Sequence, residues 1–530
     1  MPIDAISLEV FKNLFISVAE EMGVALQRTS YSPNIKERRD FSCALFDPAG
    51  QMVAQAAHQP VHLGAMPASV RAALDVYDKN LRNGDIVILN DPYLGGTHLP
   101  DITLVAPVFI EEQGSQILVG FISNRGHHAD VGGMTPGSLP LSTELYQEGL
   151  IIPPLKLAKR GRITQEIVQL ICRNSRTPEE RKGDLEAQIA SMRVGERRLQ
   201  ELANKYGISE TLEHMDALLD YSERVTRQAI TGIPDGSYKV TDYMDDDGFT
   251  DSPVPIQVTI TVTGDQMKID FTGTSPQRPG CINAPQAVTV SACLYVIRCV
   301  VGEQAPANQG CLRPIDIITP LGTLVNPEPQ RGVAGGNVET SQRITDVLLA
   351  ALSQPLPHLI PAFSQGTMNN LLIGGHDLNR DKPFVYYETI GGGMGARPDS
   401  DGISGIHTHM TNTLNTPIEA LEFAFPLRLK RYGLRRGSGG DGKFKGGDGI
   451  VRDVEFLAPA RVTLLSERRK HSPPGLHGGH HGETGENVLF RGGYEEIHLS
   501  GKETLDVTAG DVLSIRTPGG GGWGTPIHED

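Results

Sequence analysis

The sequence predicts a mixed α and β fold made of several parts, with a β-rich C-terminal region. Apolar residues recur at helical spacing over residues 3–27, which predicts an amphipathic helix. Apolar and polar residues alternate over 254–263, which predicts a half-buried strand. From Arg435 onward the chain is rich in glycine and in short alternating segments. At 530 residues it is also too long for one compact core.

The N-terminal part combines the first helix with strands that end in polar loops. Phe41–Phe46 and residues 52–57 form a predicted antiparallel pair around an Asp-Pro-Ala-Gly turn. A third strand, Ile86–Leu89, runs into a loop that holds imidazole and carboxylate groups before the next strand begins. Further strands are predicted over 102–110 and 116–123, and helices over 162–173, 178–205 and 210–228.

The rest of the chain alternates strands with buried helices. We divide the sequence into an N-terminal α/β region (1–232), a central α+β region (233–434) and a glycine-rich β module (435–530), with approximate boundaries inside one fold. Central strands are predicted over 238–243, 254–263, 267–271 and 384–390, and helices over 287–301, 339–353 and 418–425. The last strands are predicted over 449–456, 461–465, 487–490, 495–499 and 512–515.

Net charge and composition argue against some classes of binding partner and indicate the cellular compartment. The formal net charge of −15 argues against binding to nucleic acid or to an anionic membrane, because both need a basic surface. No apolar run approaches the length that spans a bilayer, and the N-terminus lacks the basic and apolar regions of a signal peptide. Six scattered cysteines without a Cys-x-x-Cys pair are typical of reduced thiols, so we predict a cytoplasmic protein.

Four residues form the best candidate metal site, namely Asp40, His98, Asp101 and His127. Each lies where a predicted strand meets a loop, and His98 and Asp101 are three residues apart on one loop. Two imidazoles and two carboxylates suit a divalent Zn, Mn or Fe ion. An open coordination position would carry water, whose pKa the metal lowers, so these residues are predicted to be catalytic through that water.

Four neighbouring residues are candidates for supporting roles or for substitute ligands: Glu37, Asp91, His128 and Asp130. The alternative for each single residue is that the carboxylates cap turns and the imidazoles are ordinary loop side chains. The order strand, glycine, histidine, aspartate recurs in 86–101 and 116–130, and this recurrence favours a metal site.

Four further histidines are weaker candidates. His58 and His62 either line the same cleft or are ordinary turn residues. His407 and His409 are two residues apart and would share one face of a strand, as a second ligand pair or as part of a polar loop that contacts substrate or a neighbour.

Two glycine-rich stretches resemble phosphate-binding loops and are rejected. Gly437–Phe444 matches Gly-x-x-x-x-Gly-Lys but ends in Phe, where a P-loop needs a Ser or Thr hydroxyl. Gly391–Ala396 fits Gly-x-Gly-x-x-Ala, but no helical pattern follows it. We therefore predict no cofactor-binding loop, and we expect these glycines to serve positive φ or close backbone approach.

Seven separate motifs are spread over nearly the whole chain: Ser32–Ser42, Asn90–Asp101, Gly126–Gly133, Gly335–Gln342, Gln365–Asn370, Arg436–Gly440 and Thr517–Gly524. Together they make the chain similar to the hydantoinase B/oxoprolinase family. The resemblance implies a hydantoinase B-like fold and transfers that family's metal ligands onto Asp40, His98, Asp101 and His127. His127 is preferred to His128 because relatives vary more at the second position.

The resemblance also implies a partner and a reaction. Proteins of this family work with a hydantoinase A-type ATPase subunit, which uses ATP and Mg and is thought to phosphorylate the carbonyl oxygen of a small cyclic amide. The expected activity is metal-dependent ring opening of the N-methylhydantoinase or 5-oxoprolinase type in a hetero-oligomer. The alternatives are a subunit of an ATP-dependent carboxylase of small ketones such as acetone or acetophenone, and a non-catalytic structural subunit.

Overall fold

The computed structural model of the chain describes residues 3–77, 80–302, 305–492 and 494–526. It confirms the mixed α and β class, with strands gathered into sheets of seven, four, four and five strands. In the described part of the chain, no helix is both long and apolar enough to cross a membrane.

The N-terminal sheet is antiparallel, and its strand order is β2-β1-β5-β4-β3-β6-β7. Both faces of the sheet are covered, so the apolar runs on its strands are continuous. Cys43 and Leu45 face the larger core, whereas Ala44 and Phe46 face a smaller core on the opposite side. The strands are β1 (Phe41–Phe46), β2 (Met52–Gln55), β3 (Ile86–Leu89), β4 (Asp101–Glu112), β5 (Ser115–His127), β6 (Leu155–Lys159) and β7 (Arg162–Ile163).

Long helices cover one face of this sheet. Asp4 begins the first of them by accepting hydrogen bonds from two backbone N–H groups of its first turn. The helix predicted from residue 162 begins only at Gln165, because Arg162 and Ile163 pair with β6. The helices of this part are α1 (Ala5–Thr29), α2 (Pro33–Lys36), α3 (Ala65–Tyr77), α4 (Gln165–Arg173), α5 (Pro178–Tyr206) and α6 (Ile208–Thr231).

The central sheet has the order β11-β10-β9-β8 and packs on two buried helices. The chain enters the second of these helices through one turn of π-helix, Gly336–Thr340, so the regular helix begins two residues later than predicted. The elements are β8 (Gly236–Met244), β9 (Val254–Thr263), β10 (Gln266–Asp270), α7 (Gln286–Val301), β11 (Ile315–Ile318) and α8 (Ser341–Ser353).

Two further sheets pack around a third core. Their orders are β13-β12-β16-β19 and β14-β15-β20-β17-β18. The elements are β12 (Asn370–Asp377), β13 (Lys382–Glu388), α9 (Ile418–Ala424), β14 (Leu427–Arg435), β15 (Gly449–Phe456), β16 (Ala460–Leu465), β17 (Glu486–Arg491), β18 (Glu495–Leu499), β19 (Lys502–Val507) and β20 (Val512–Arg516). Strands β12 and β14 thus pair with β16 and β15, which lie beyond the proposed boundary at residue 435. The division of the chain into three parts stays a prediction.

The glycine-rich segments pack backbone against backbone. Gly440 N–H donates to the Gly520 carbonyl at 2.8 Å, and Gly520 N–H donates to the Gly447 carbonyl at 2.9 Å. A Cβ atom on Gly393 would lie 2.0 Å from the Gly447 carbonyl oxygen, so no other residue fits there. Close backbone approach therefore explains the stretches that resemble phosphate loops, as predicted.

Candidate metal centre

The loop that follows β3 is held in place by the Asn90 side chain. Its amide group donates to the carbonyl oxygens of Leu99 (2.7 Å) and Leu150 (2.9 Å), and its oxygen accepts from the Ile152 N–H at 2.7 Å. Gly95 has φ +88, and a Cβ atom there would meet the Ala68 carbonyl at 2.4 Å. These constraints fix the path of the chain toward His98.

Strand pairing brings the other candidate ligands to the same place. Asp101 and His127 are register partners in the antiparallel ladder of β4 and β5, so their side chains are direct cross-strand neighbours. The His127 N–H donates to the Asp40 carbonyl at 3.0 Å, just before β1 pairs with β5. His98 joins them through the turn in which the Asp101 N–H donates to the His98 carbonyl at 3.1 Å.

Three side-chain atoms form a compact triangle. His98 Nε2 lies 3.1 Å from His127 Nδ1 and 3.2 Å from Asp101 Oδ1, and His127 Nδ1 lies 3.1 Å from Asp101 Oδ1. Ligand atoms about 2.1 Å from one ion are about 3.0 Å apart in octahedral and about 3.4 Å apart in tetrahedral geometry. The spacing of these three atoms therefore fits one divalent ion, and all three side chains are buried.

The second oxygen of Asp101 is held by other residues. Thr97 Oγ1 donates to Asp101 Oδ2 at 2.5 Å, and His62 Nε2 lies 3.3 Å from it. The other ring nitrogen of His62 is 2.9 Å from the Ser42 hydroxyl on β1. Burial alone would raise the pKa of Asp101, but the imidazoles of His98 and His62 and the hydrogen bond with His127 outweigh it and hold that pKa well below its usual range. A carboxylate is thus ready to ligate a cation.

His127 has the protonation state that a metal ligand needs. Burial lowers its pKa, and the carboxylates of Asp40 and Asp101 oppose that shift only in part, so the ring is neutral near pH 7. Its Nε2 atom, like His98 Nδ1, is buried without a hydrogen-bond partner among the described residues. The ring instead stacks on Tyr387 of β13.

Two other predicted site residues, Asp40 and His128, lie outside this triangle. Asp40 lines the same cavity without belonging to the cluster of three, and its carboxylate lies 4.0 Å from Arg38 Nη2. His128 turns away and contacts Gln188 Oε1 at 2.9 Å. Since the two neighbouring histidines point to different partners, the geometry favours His127.

The remaining supporting candidates have structural partners. Asp130 accepts hydrogen bonds from the Arg176 side chain and from backbone N–H groups of its own loop, including that of Gly132. Asp91 caps a short turn by accepting from the Tyr93 N–H at 2.9 Å. Glu37 ends α2 and is half-buried. Asp130 and Asp91 thus hold the loops that carry the site, whereas Glu37 contributes its backbone N–H to the end of α2.

The weaker histidine candidates separate in the structure. His62 joins the site, whereas His58 accepts from the Cys43 N–H and packs on Phe41. The prediction that His407 and His409 share a strand face is wrong, because both lie in an irregular segment and His409 has φ +58. His409 lies beside the Tyr295 hydroxyl, 3.3 Å away. A positive φ disrupts the two-residue alternation that the prediction assumed.

Residues from distant parts of the chain close the cavity around the triangle. The sequence pattern alone did not identify them, because they follow no strand–loop–histidine signal. Asn337 belongs to the motif Gly335–Gln342, which supported only the family resemblance. Tyr387 lies within a predicted strand, and no sequence pattern there indicated a catalytic or ligand-binding role. The added lining residues are Gln59, Val61, Asn337, Val338, Met368, Tyr387, Thr389, Met410 and Thr411.

Comparison with known proteins identifies the family of the chain. A family model described as Hydantoinase B/oxoprolinase matches residues 4–526. The chain therefore belongs to the hydantoinase B/oxoprolinase family, as its motifs predicted. It superposes with a TM-score of 0.91 on the crystal structure of an ATP-dependent caprolactamase from Pseudomonas jessenii. The identity is 27%, and the match covers 99% of this chain and 92% of that one.

Two curated relatives differ in length. 5-Oxoprolinase 1 of Arabidopsis thaliana is 44% identical over 99% of this chain, but the match covers only 42% of the relative. The putative B-type subunit of a D-/L-hydantoinase from Pseudomonas sp. (strain NS671) is 34% identical, and the match covers 100% of this chain and 91% of that protein. The chain thus corresponds to less than half of the first relative and to nearly all of the second.

Proposed function

We propose that this chain is the metal-dependent hydrolytic subunit of an ATP-dependent cyclic amide hydrolase of the N-methylhydantoinase or 5-oxoprolinase type. The observation that carries the proposal is the buried triangle of His98 Nε2, Asp101 Oδ1 and His127 Nδ1, with edges of 3.1–3.2 Å. Asp40 lines the same cavity and is the proposed fourth ligand. The donor set suits a divalent Zn, Mn or Fe ion.

A divalent ion bound there would supply Lewis-acid activation of water for attack on the ring carbonyl. The residues of the chain prepare this chemistry. Asp101 is kept ionised with one oxygen facing the two imidazoles, while Thr97 and His62 hold its other oxygen. A neutral His127 ring would give the lone pair of Nδ1 to the ion in place of the hydrogen bond that this atom makes with Asp101. The ligands are thus held in place before substrate arrives.

A partner subunit is part of the proposal. An unstrained cyclic amide is a poor electrophile, so ring opening under mild conditions needs prior activation of its carbonyl oxygen. We propose that a hydantoinase A-type ATPase performs this step with ATP and Mg, in a cytoplasmic hetero-oligomer. Support comes from the D-/L-hydantoinase relative, which is named as one subunit of an enzyme and which this chain nearly spans. The chain spans under half of the longer 5-oxoprolinase. This partial coverage supports a reaction divided between two parts, one that corresponds to this chain and one that activates the substrate.

The metal content of purified protein tests the first part. The wild-type chain should retain about one equivalent of a transition metal, and the double variant His98→Ala/Asp101→Ala should retain none. His58→Ala is the matched control, because His58 lies in the same region of the chain outside the triangle. An unchanged metal content in the double variant would refute the metal centre.

Activity of the reconstituted pair tests the second part. Hydantoins, 5-oxoproline and lactams are offered together with ATP, and both ring opening and ATP hydrolysis are followed. Ring opening should need both subunits and should be lost in the double variant. Bicarbonate-dependent consumption of acetone or acetophenone without ring opening would instead favour the carboxylase alternative. Full activity of the double variant would leave only a structural role for this chain.

A further inference from the structure

The cavity around the metal triangle is too small to hold a substrate ring. It measures about 20 Å³, which is room for one water-sized group. Pockets that bind small molecules in proteins typically measure about 300–1,000 Å³. A cyclic amide that reacts at the triangle therefore needs an adjoining pocket, and the structure has one.

The adjoining pocket measures about 400 Å³ and lies between α1 and the loop that follows β2. Gln59 lines both this pocket and the triangle cavity. Arg39 and Phe41 line the pocket, whereas Asp40 between them lines the triangle cavity. Because neighbouring residues of one backbone segment border the two spaces, the pocket and the triangle cavity share a thin wall.

The Gln59 side chain bridges the backbone segments of this wall. Its Oε1 atom accepts a hydrogen bond from the Asn412 N–H at 2.9 Å, and its Nε2 atom donates to the Arg39 carbonyl at 3.3 Å. The Gln59 N–H donates to the Ser42 hydroxyl at 3.3 Å, and this hydroxyl also contacts His62. The pocket wall is therefore connected by hydrogen bonds to a residue that orients the triangle.

Arg39 supplies the one positive charge among the described residues that line the pocket. Its guanidinium forms no ion pair and no hydrogen bond within the described parts of the chain. Burial, together with the charges of His62 and Arg39, lowers the pKa of His58 in the same pocket to about 4, so this imidazole is neutral near pH 7. Glu20 is the one carboxylate among the lining residues, and it is exposed. The Arg39 guanidinium is thus available to an anionic ligand.

The backbone of Arg39 has a conformation that arginine rarely adopts. Its φ angle is +56, in the left-handed region that favours glycine. The Arg39 carbonyl is held there by hydrogen bonds from the Phe41 N–H at 3.0 Å and from Gln59 Nε2. Residues held in such strained conformations concentrate at functional sites, where the side chain is needed in that position. This second observation also indicates that the Arg39 side chain serves a contact in the pocket.

We infer that this pocket binds the cyclic amide, and that Arg39 is a specificity-determining residue that pairs with an oxyanion on the ring compound. The inference rests on the proposed function and narrows its substrates to rings that carry such a charge. The oxyanion has two possible sources, a carboxylate substituent on the ring and the phosphoryl group that the ATPase partner would add. A planar guanidinium suits both, because its N–H groups can contact two oxygens at once.

Ligand-observed NMR titration of the purified chain measures this binding without turnover. 5-Oxoproline and 2-pyrrolidinone differ only in the carboxylate, and inorganic phosphate probes the phosphoryl source. Wild type should bind 5-oxoproline about fivefold more tightly than 2-pyrrolidinone, the size expected of a charge pair that is open to solvent. Higher salt should reduce this preference. The metal-free variant His98→Ala/Asp101→Ala should keep it, because the pocket holds the oxyanion and the metal does not.

Two variants of Arg39 should lose the preference. Arg39→Gly stays folded because glycine adopts the left-handed backbone without strain, and Arg39→Gln keeps a polar side chain without the charge. Glu20→Gln should instead tighten the binding of 5-oxoproline by up to about twofold, since it removes a nearby negative charge. Arg28→Gln is the matched control and should bind like wild type, because Arg28 is an exposed arginine in the last turn of α1 outside the pocket.

An unchanged preference in both Arg39 variants would overturn the inference. So would a wild-type chain that neither prefers 5-oxoproline to 2-pyrrolidinone nor binds phosphate. Phosphate binding that depends on Arg39, without a preference for the carboxylate, would assign the oxyanion to the phosphoryl group. Ring opening by the reconstituted pair separates the two proposals: an active pair with no effect of Arg39 refutes the inference alone, whereas Arg39-dependent binding in an inactive pair refutes the proposed function and leaves the oxyanion pocket.

Discussion

The imidazole of His127 stacks on the phenol ring of Tyr387, with ring centroids 4.7 Å apart and planes inclined by 23°. His127 ends β5 of the N-terminal sheet, whereas Tyr387 lies in β13, about 260 residues later in the chain. Tyr387 is itself fixed by the hydrogen bond from its hydroxyl to Asn370 Oδ1 at 2.9 Å. The orientation of one proposed ligand therefore depends on packing between distant parts of the chain.

This stacking predicts a difference between two variants of Tyr387. Tyr387→Phe keeps the ring and loses only the bond to Asn370, so its metal affinity should stay within about threefold of wild type. Tyr387→Leu removes the ring face that orients His127 and should weaken metal binding by about tenfold or more, as supporting residues of metal sites do. Competition with a chelator of known affinity measures both. Equal affinities for the two variants would contradict the role of stacking.

His62 should matter for metal binding although it is not a proposed ligand. Its Nε2 atom lies 3.3 Å from Asp101 Oδ2, and removing it would free that carboxylate to rotate. We expect His62→Ala to lower metal affinity about 10–100-fold while the chain stays folded. His58→Ala serves as the control and should bind metal like wild type. Metal binding by His62→Ala that matches the control would show that Thr97 alone suffices to hold Asp101.

Glu148 should make stability depend on pH. Burial raises its pKa to about 7, although the Ser142 hydroxyl and the backbone N–H groups of Val333 and Ala334 oppose the shift. The unfolded chain releases this proton near pH 4.5. The contribution of Glu148 to stability is therefore fully present below about pH 4.5 and is lost as the pH rises through about 7.

Replacing this carboxyl group should remove that dependence. Between pH 5 and pH 8 the melting temperature of wild type should fall more than that of Glu148→Gln, by the equivalent of at most about 3 kcal/mol. Glu144→Gln, at an exposed position of the same loop, should behave like wild type. Parallel pH profiles for wild type and Glu148→Gln would mean that Glu148 is ionised in the folded protein.

Close backbone packing predicts an unusual sensitivity of one glycine. A Cβ atom on Gly520 would lie 2.1 Å from the Met394 carbonyl oxygen, which belongs to another backbone segment and cannot rotate away. Gly520→Ala should therefore destabilise the protein by about 3 kcal/mol or more. Gly433→Ala is the matched control, since a Cβ atom there would meet no other atom within 4 Å. A melting temperature of Gly520→Ala equal to that of the control would contradict this packing.

Most regular elements were predictable because their apolar residues follow a clear period. The strands that sequence patterns did not predict lack that signal. Strand β14 is an exposed edge strand with little burial, and its alternation of apolar and charged residues breaks at Lys430 and Arg431, where the register shifts. Strand β12 has two glycines that interrupt its apolar run. In such segments the pairing partner decides the conformation, and that partner lies far away in the sequence.

The sequence by itself determined the candidate ligands Asp40, His98, Asp101 and His127, because local strand–loop patterns and family motifs mark them. The tertiary structure shows why His127 and not its neighbour His128 faces the site, since neighbouring side chains along a strand point in different directions. It also brought in His62, Asn337 and Tyr387. Asn337 and Tyr387 reach the site across more than 200 residues and His62 reaches Asp101 across 39, and a local pattern encodes none of these contacts.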